Sequence, residues 1–102
     1  MKVTRHAKKR MKERCGLNKK STDRMAEIAY ENGLKHRELT ENLKKWVNSL
    51  YFYNHRANQI RLYGDKAYIF HNTELITVIQ IPPDLKKEAD KLRKDKTTVV
   101  RK

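Results

Sequence analysis

The sequence predicts one α+β domain, in which N-terminal helices pack on an antiparallel sheet of three to four strands and a C-terminal helix follows. Apolar residues recur at the helical period over residues 5–53 and at the strand period over residues 59–81. The chain has 102 residues, which is the size of one domain. We therefore expect one folded unit over residues 1–94 and a basic flexible tail over residues 95–102.

The first helix is predicted to begin at Arg5, after a short β segment through Val3. The Thr4 hydroxyl can cap it, and Gly16 is a natural stop. An apolar stripe repeats every four residues along it: Val3, Ala7, Met11 and Cys15. A cationic row repeats with the same spacing, rotated by about 100°: His6, Arg10 and Arg14. This row is expected to follow the edge of the core.

Two more helices are predicted before the sheet. Ser21-Thr22-Asp23 signals the start of one helix, which Gly33 ends. The other carries an apolar stripe over Leu39–Tyr53 that includes Trp46, with Thr40 or an earlier polar residue as its cap. We expect Trp46 and the aromatic run 51–53 to pack in the core and between helix and sheet, with the exception of one tyrosine that can stay exposed.

The predicted sheet is a meander with strands over residues 59–63, 66–70 and 75–81, joined by short turns. A meander usually buries one face and wets the other. The residues assigned to the packed face are Ile60, Leu62, Ala67 and Ile69. Those assigned to the opposite face are Arg61, Tyr63, Tyr68 and Phe70. Pro82-Pro83 ends the last strand, and a closing helix is predicted over Asp84–Lys94.

The charge points to a polyanionic partner. Lys plus Arg number 25 and Asp plus Glu 12, so the net charge is 25 − 12 = +13. Residues 1–20 contribute +8 and residues 84–102 contribute +4, so the excess lies at the two ends. Nucleic acid is the favoured partner, because neutralised phosphates release counterions. An anionic membrane is disfavoured, since the basic stretches lack an opposing apolar face. Solubility alone is the remaining explanation.

Several protein classes are excluded on sequence grounds. No apolar run reaches the ~18–20 residues of a membrane span, and residues 1–20 lack the apolar region of a secretory signal. The protein is therefore expected to be cytoplasmic. Cys15 stands alone, so we predict neither a disulfide nor a zinc cluster, and the four histidines show no metal-binding spacing. No metal and no cofactor is predicted.

The remaining side chains suit cleavage of RNA without metal, which needs a base, an acid and positive charge beside the phosphate. Histidine suits the proton transfers and arginine suits the phosphate. The predicted catalytic residues are His6, Arg10, Arg61, Tyr68 and Thr77. Histidine would exchange protons, the arginines would hold the phosphate, and Tyr68 or Thr77 would orient the substrate. The predicted nucleic-acid-binding residues are Lys8, Lys9, Lys12, Arg14, His71 and Lys94.

The opening T-R-H-A-K-K-R-M-K-E-R-C-G-L and the sheet segments I-R-L-Y-G-D-K-A-Y-I-F and L-I-T-V-I-Q-I-P resemble a small family of bacterial and phage proteins. That family begins with a His-Ala-x-x-Arg-x-x-x-Arg helix, ends in an antiparallel meander, and lies near the RelE-like and barnase-like ribonuclease toxins. The resemblance implies a toxin-antitoxin ribonuclease that cleaves RNA without metal. The positions it implicates are His6, Arg10, Arg14, Arg61 and Thr77.

Three functions stay open on sequence grounds. The first is a toxin-type endoribonuclease acting on RNA, with the ribosome and an antitoxin as possible partners. The second is a non-catalytic phage or mobile-element protein that binds RNA, DNA or a host ribonucleoprotein, for example to inhibit a defence nuclease. The third is a domain whose Leu39–Tyr53 helix docks another protein.

Overall fold

The chain folds into three layers, with two helices on each face of one antiparallel sheet. The computed structural model describes residues 2–16 and 19–101, apart from the side chains of residues 19, 93 and 95–101. The elements in chain order are α1 (Arg5–Cys15), α2 (Lys19–Asn32), a 3₁₀ turn (His36–Glu38), α3 (Glu41–Tyr53), β1 (Gln59–Tyr63), β2 (Lys66–His71), β3 (Glu74–Gln80) and α4 (Pro83–Arg101). The α+β class with a C-terminal helix is confirmed.

Helix α1 begins and ends where its capping residues predict. The Thr4 hydroxyl accepts a hydrogen bond from the Ala7 amide at 3.1 Å, and Gly16 stops the helix in the left-handed conformation, with φ of 66°. Ala7 and Met11 are fully buried, as the apolar stripe indicates. The preceding segment also pairs with the sheet, because Val3 forms a parallel bridge with Leu75.

The sheet has the order β1-β2-β3 and is antiparallel throughout. Its β2–β3 register shifts once: Ile69 pairs with Thr77, whereas the next residue, Phe70, pairs with Leu75. Ile76 is therefore an extra residue in β3, and the bulge reorients the strand locally. Since paired residues share a face, Thr77 lies on the same face as Ile69.

Both faces of the sheet are buried, so the prediction of one wet face is wrong. Helices α3 and α4 cover the face that was assigned to the core: Ile60, Leu62, Ala67 and Ile69. Helices α1 and α2 cover Tyr68 and Phe70 on the other face. Small residues on these helices, Ala26 and Ala29 of α2 among them, leave room for the two rings. The helices can therefore approach closely enough to bury aromatic side chains that would otherwise meet water.

The outer edges of the sheet are each met by one bridge from the N-terminal half of the chain. Along β3, the Thr4 amide donates to the Leu75 carbonyl at 2.9 Å, and the Leu75 amide donates to Lys2 at 3.0 Å. Along β1, Leu34 and Leu62 exchange two backbone hydrogen bonds of 2.8 and 3.1 Å. The segment between the two bridges contains α1 and α2, and it crosses the whole sheet.

Gly33 lets α2 end directly against β1. A Cβ atom at this position would lie 2.5 Å from the Ala29 carbonyl oxygen and 2.8 Å from the Arg61 Cβ. Both distances are shorter than side chains tolerate, so only glycine fits here without a shift of α2 or β1.

One helix start differs from the predicted one, and another makes a contact that the sequence does not signal. Helix α2 begins at Lys19, and Thr22 is buried within the helix instead of capping it. Helix α3 begins at Glu41 after Thr40, as one of the predicted caps requires, but the Thr40 hydroxyl donates to Glu88 Oε1 at 2.8 Å. That bond ties the start of α3 to α4, and a contact of this kind, 48 residues apart, has no local sequence signal.

The ends of α3 and α4 also depart from the expectations. Trp46 and Tyr51 are half-buried against the core, and Tyr53, which is 78% exposed, is the one tyrosine of the run outside it. Phe52 is 71% exposed, so its predicted packing is wrong. Helix α4 continues past Lys94 to Arg101. The side chains of the predicted tail, residues 95–102, lie outside the part of the chain that the structure describes. Within the described residues, no helix has both the length and the apolarity to cross a membrane.

Candidate nucleic-acid interface and adjoining cavities

The outer face of α1 is the strongest concentration of positive charge on one element. The helix carries six basic residues and one acidic residue, a net charge of 6 − 1 = +5 with neutral histidine. Arg5, Lys9 and Lys12 are exposed, on the side away from buried Ala7 and Met11. Among the residues that the structure describes, no carboxylate pairs with Arg5, Lys8, Lys9 or Lys12. These four cations are therefore available to an external anion.

The other two arginines of α1 make contacts within the protein. Arg10 pairs with Glu13 through Nη1 and Oε2 at 3.3 Å. Arg14 donates from Nη1 to the Val78 carbonyl oxygen at 2.7 Å and so attaches the end of α1 to β3. Arg14 is nevertheless exposed, which leaves part of its guanidinium accessible.

His6 and Arg61 lie on different parts of the fold. His6 is exposed on α1, which packs along β3, and it makes no hydrogen bond with any described residue. Arg61 lies on β1, two strand spacings from β3, or about 10 Å at the backbone. It is 9% exposed, and its Nε donates to the Tyr30 carbonyl at 3.2 Å. The predicted pairing of these residues at one scissile phosphate has no contact to support it.

Tyr68 and Thr77 are separated by the sheet itself. Tyr68 is 3% exposed and lies between the sheet and α1/α2. Burial raises the pKa of its hydroxyl far above the ordinary value, so the group stays neutral. Thr77 is 8% exposed and, by its pairing with Ile69, faces α3 and α4. A substrate on one face cannot be oriented by both residues.

The remaining predicted residues also do not converge. The Nδ1 atom of His71 lies 2.6 Å from the carbonyl oxygen of Arg56, so the ring donates to the loop after α3. Lys94 is exposed on α4, on the opposite side of the sheet from α1. The predicted lysines of α1 do share one surface. The structure thus keeps the α1 part of the predicted binding set together and disperses the predicted catalytic set.

Arg14 and Tyr68 are brought together in one cavity, which we call the turn cavity because the β1–β2 turn lines it. Its volume is about 370 Å³, and Cys15 and Lys66 also contribute to it. Lys66 donates from Nζ to Asp65 Oδ1 at 3.0 Å and to Gln80 Oε1 at 2.7 Å. Burial raises the pKa of the Cys15 thiol, which disfavours a nucleophilic thiolate. The cations of this cavity already have protein acceptors.

A second cavity of about 370 Å³ opens beside β1, and we call it the edge cavity. Its polar lining includes Lys35, His36, Arg37, Tyr51, Asn58 and Arg61, and it contains no Asp or Glu side chain. The sequence analysis did not identify this site. The sequence feature that could have identified it is the adjacent basic triplet 35–37. This triplet lies between two predicted helices and far from Arg61 in the chain.

The described residues contain no group of three or more His, Cys, Asp or Glu side chains placed to hold a metal ion. Comparison with known protein families, with curated proteins and with solved structures finds no significant match to this chain. The resemblance of the opening helix to the ribonuclease-toxin group therefore stays a prediction.

Proposed function

We propose that this chain is a nucleic-acid-binding domain that holds the phosphate backbone of single-stranded RNA on the outer face of α1 without cleaving it. The observation that carries the proposal is the row of four cations with no carboxylate partner among the described residues. Arg5 and Lys12 are seven residues apart, or about 10 Å along the helix axis. A row of this length spans more than one nucleotide, so its four cations can contact successive phosphates of one strand.

Binding is favoured over cleavage by the positions of the candidate catalytic groups. Cleavage requires a proton acceptor, a proton donor and a stabilising charge within reach of the same phosphate. His6 is on the exposed side of α1, whereas Arg61 is covered by Tyr30 and Thr77 faces the other helical layer. Binding needs only the cationic surface, which does not depend on any of these contacts.

An exposed aromatic pair supports a single-stranded ligand. The rings of Phe52 and Tyr53 meet edge to face, with centroids 5.6 Å apart, at the end of α3. Unpaired bases stack on exposed aromatic side chains with about 1–3 kcal/mol per base, and a duplex does not present its bases in this way. Phe52 and Tyr53 are 71% and 78% exposed, so both rings are accessible to an unpaired base.

The end of α3 and the start of α1 lie at the same end of the sheet. The Thr4 amide donates a hydrogen bond to the Leu75 carbonyl at the start of β3. The His71 ring, at the end of β2, donates one to the Arg56 carbonyl. One tight turn joins these two strands. A strand held by α1 could therefore pass this end of the sheet and reach the aromatic pair on the other face.

The test uses a fluorescein-labelled oligouridylate, incubated with the purified protein in the presence of EDTA. We expect binding in fluorescence anisotropy that weakens with salt, and an intact oligonucleotide on a denaturing gel. Cleavage that disappears in His6→Ala would replace the proposal with the endoribonuclease. Binding that is absent at low salt would rule the proposal out.

A further inference from the structure

Arg61 is a buried cation without a carboxylate partner among the described residues. Its acceptors are all neutral: the Tyr30 carbonyl, Gln59 Oε1 at 2.8 Å from Nη1, and the Ile60 carbonyl at 3.5 Å. The Tyr30 ring covers its guanidinium carbon at 5.0 Å. Within the described part of the chain, Nη2 has no acceptor. A buried guanidinium keeps its charge, so the site is left with a positive charge that protein groups only partly compensate.

The surroundings of Arg61 add positive charge. Lys35 and Arg37 line the same edge cavity and carry fixed charges. His36 also lines it, and its Nε2 lies 2.9 Å from Asn48 Oδ1. The Glu38 carboxylate accepts a hydrogen bond from the Lys35 amide at 2.8 Å, and Glu38 is not among the residues that line the cavity. Three permanent cations thus face one space without an acidic side chain in its lining.

The edge cavity also has a neutral polar group and a suitable size. Burial raises the pKa of the Tyr51 hydroxyl, although a hydrogen bond with the Ile60 backbone and the charge of Arg61 act in the opposite direction. The hydroxyl therefore keeps its proton at neutral pH. The volume of about 370 Å³ lies at the small end of ligand pockets, which span roughly 300–1,000 Å³.

We propose that the edge cavity binds a phosphate monoester, with Arg61 as the buried anchor and Lys35 and Arg37 at its mouth. A monoester carries a charge of about −1.5 to −2 at neutral pH, more than a carboxylate or a backbone diester, so three cations favour it. The planar fork of arginine matches two phosphate oxygens. The monoester comes either from a free mononucleotide or from a terminal phosphate of RNA. The second source rests on the proposed RNA binding, and the first does not.

The first experiment compares uridine 5′-monophosphate with uridine by isothermal titration calorimetry on the full chain. Each charge-assisted contact is expected to contribute about tenfold in affinity, so the monophosphate should bind at least about tenfold more tightly. The exposed Arg37 is changed to glutamine, because a change at buried Arg61 would also affect folding. R37Q should weaken monophosphate binding about tenfold, whereas R24Q, on exposed α2, should not. Equal binding of both ligands, or an unchanged affinity in R37Q, would overturn the proposal.

The second experiment separates the two sources. Oligouridylates with a 5′-phosphate, a 3′-phosphate or no terminal phosphate are compared by anisotropy. Tighter binding of a phosphorylated end, lost in R37Q and kept in R24Q, supports the RNA terminus. Equal binding of the three strands, with monophosphate binding intact, supports the free nucleotide. Failure of all RNA binding would remove the proposed function and leave the monophosphate result standing.

Discussion

Changing Lys9 and Lys12 to glutamine tests whether RNA lies on α1. Both side chains are exposed, and neither has an ion pair among the described residues. Glutamine is a good helix former, and the buried stripe of Ala7 and Met11 is untouched. The double variant should therefore fold as the original chain does, with an unchanged melting temperature. Its binding to RNA should become weaker and less dependent on salt, because two phosphate contacts are lost.

The magnitude follows from the count of available cations. Four contacts, from Arg5, Lys8, Lys9 and Lys12, give a slope of log affinity against log salt of about −2.8 for single-stranded RNA, at about 0.7 per contact. Raising salt from about 50 to 200 mM then weakens binding about 50-fold. The double variant keeps two contacts, from Arg5 and Lys8, so its slope is about −1.4. Its affinity then falls only about sevenfold over the same range of salt.

The assay is fluorescence anisotropy of labelled oligouridylate at four or more salt concentrations. The matched control is the double change of the exposed Lys87 and Lys91 to glutamine on α4. It lowers the net charge by the same two units, but on the opposite face of the sheet from α1. We expect the control to keep the original slope. Equal slopes for the two double variants would refute the argument, because net charge and not the α1 surface would then govern binding.

Two further predictions concern the fold that presents this surface. Gly33→Ala forces a Cβ atom against the Arg61 Cβ, so we expect a loss of about 1–3 kcal/mol in the free energy of unfolding. Urea denaturation would measure it, with exposed Asn32→Ala as the control; equal stability of the two variants would contradict the close approach. Thr4→Ala removes the cap of α1 and the hydrogen bond to the Ile76 carbonyl at 3.2 Å, for about 1–2 kcal/mol, whereas Thr4→Ser keeps the hydroxyl. A Ser variant as unstable as the Ala variant would show that the lost methyl group, not the cap, matters.

The elements with local signals were predictable from the sequence. The limits of α1 follow from Thr4 and Gly16, whose capping preferences act within one helical turn. The three strands follow from their period and from the turns between them. The faces of Ile60 and Tyr68 also follow, because side chains alternate along a strand. These features depend on residues a few positions apart.

The features that decide the candidate site depend on distant residues. Burial of Tyr68 requires small side chains on α2, which the strand pattern does not reveal. The orientation of Thr77 depends on the bulge at Ile76, because one extra residue moves the following side chain to the other face. The surroundings of Arg61 are set by Tyr30, 31 residues earlier in the chain. An arginine in a strand can contact a phosphate or be covered by neighbouring side chains, and the sequence alone does not distinguish these two cases.

The two backbone bridges at Leu75 and Leu62 bear on self-association. An unpaired edge strand exposes backbone groups that can pair with another chain, and fibrils grow in this way. Here the borders of β3 and β1 are occupied at these points by segments that flank the same helical pair. Displacement of α1 and α2 would therefore expose both sheet edges together, and other chains could then pair with them. The helix that carries the proposed RNA-binding surface thus belongs to the same segment that covers the two sheet edges at these points.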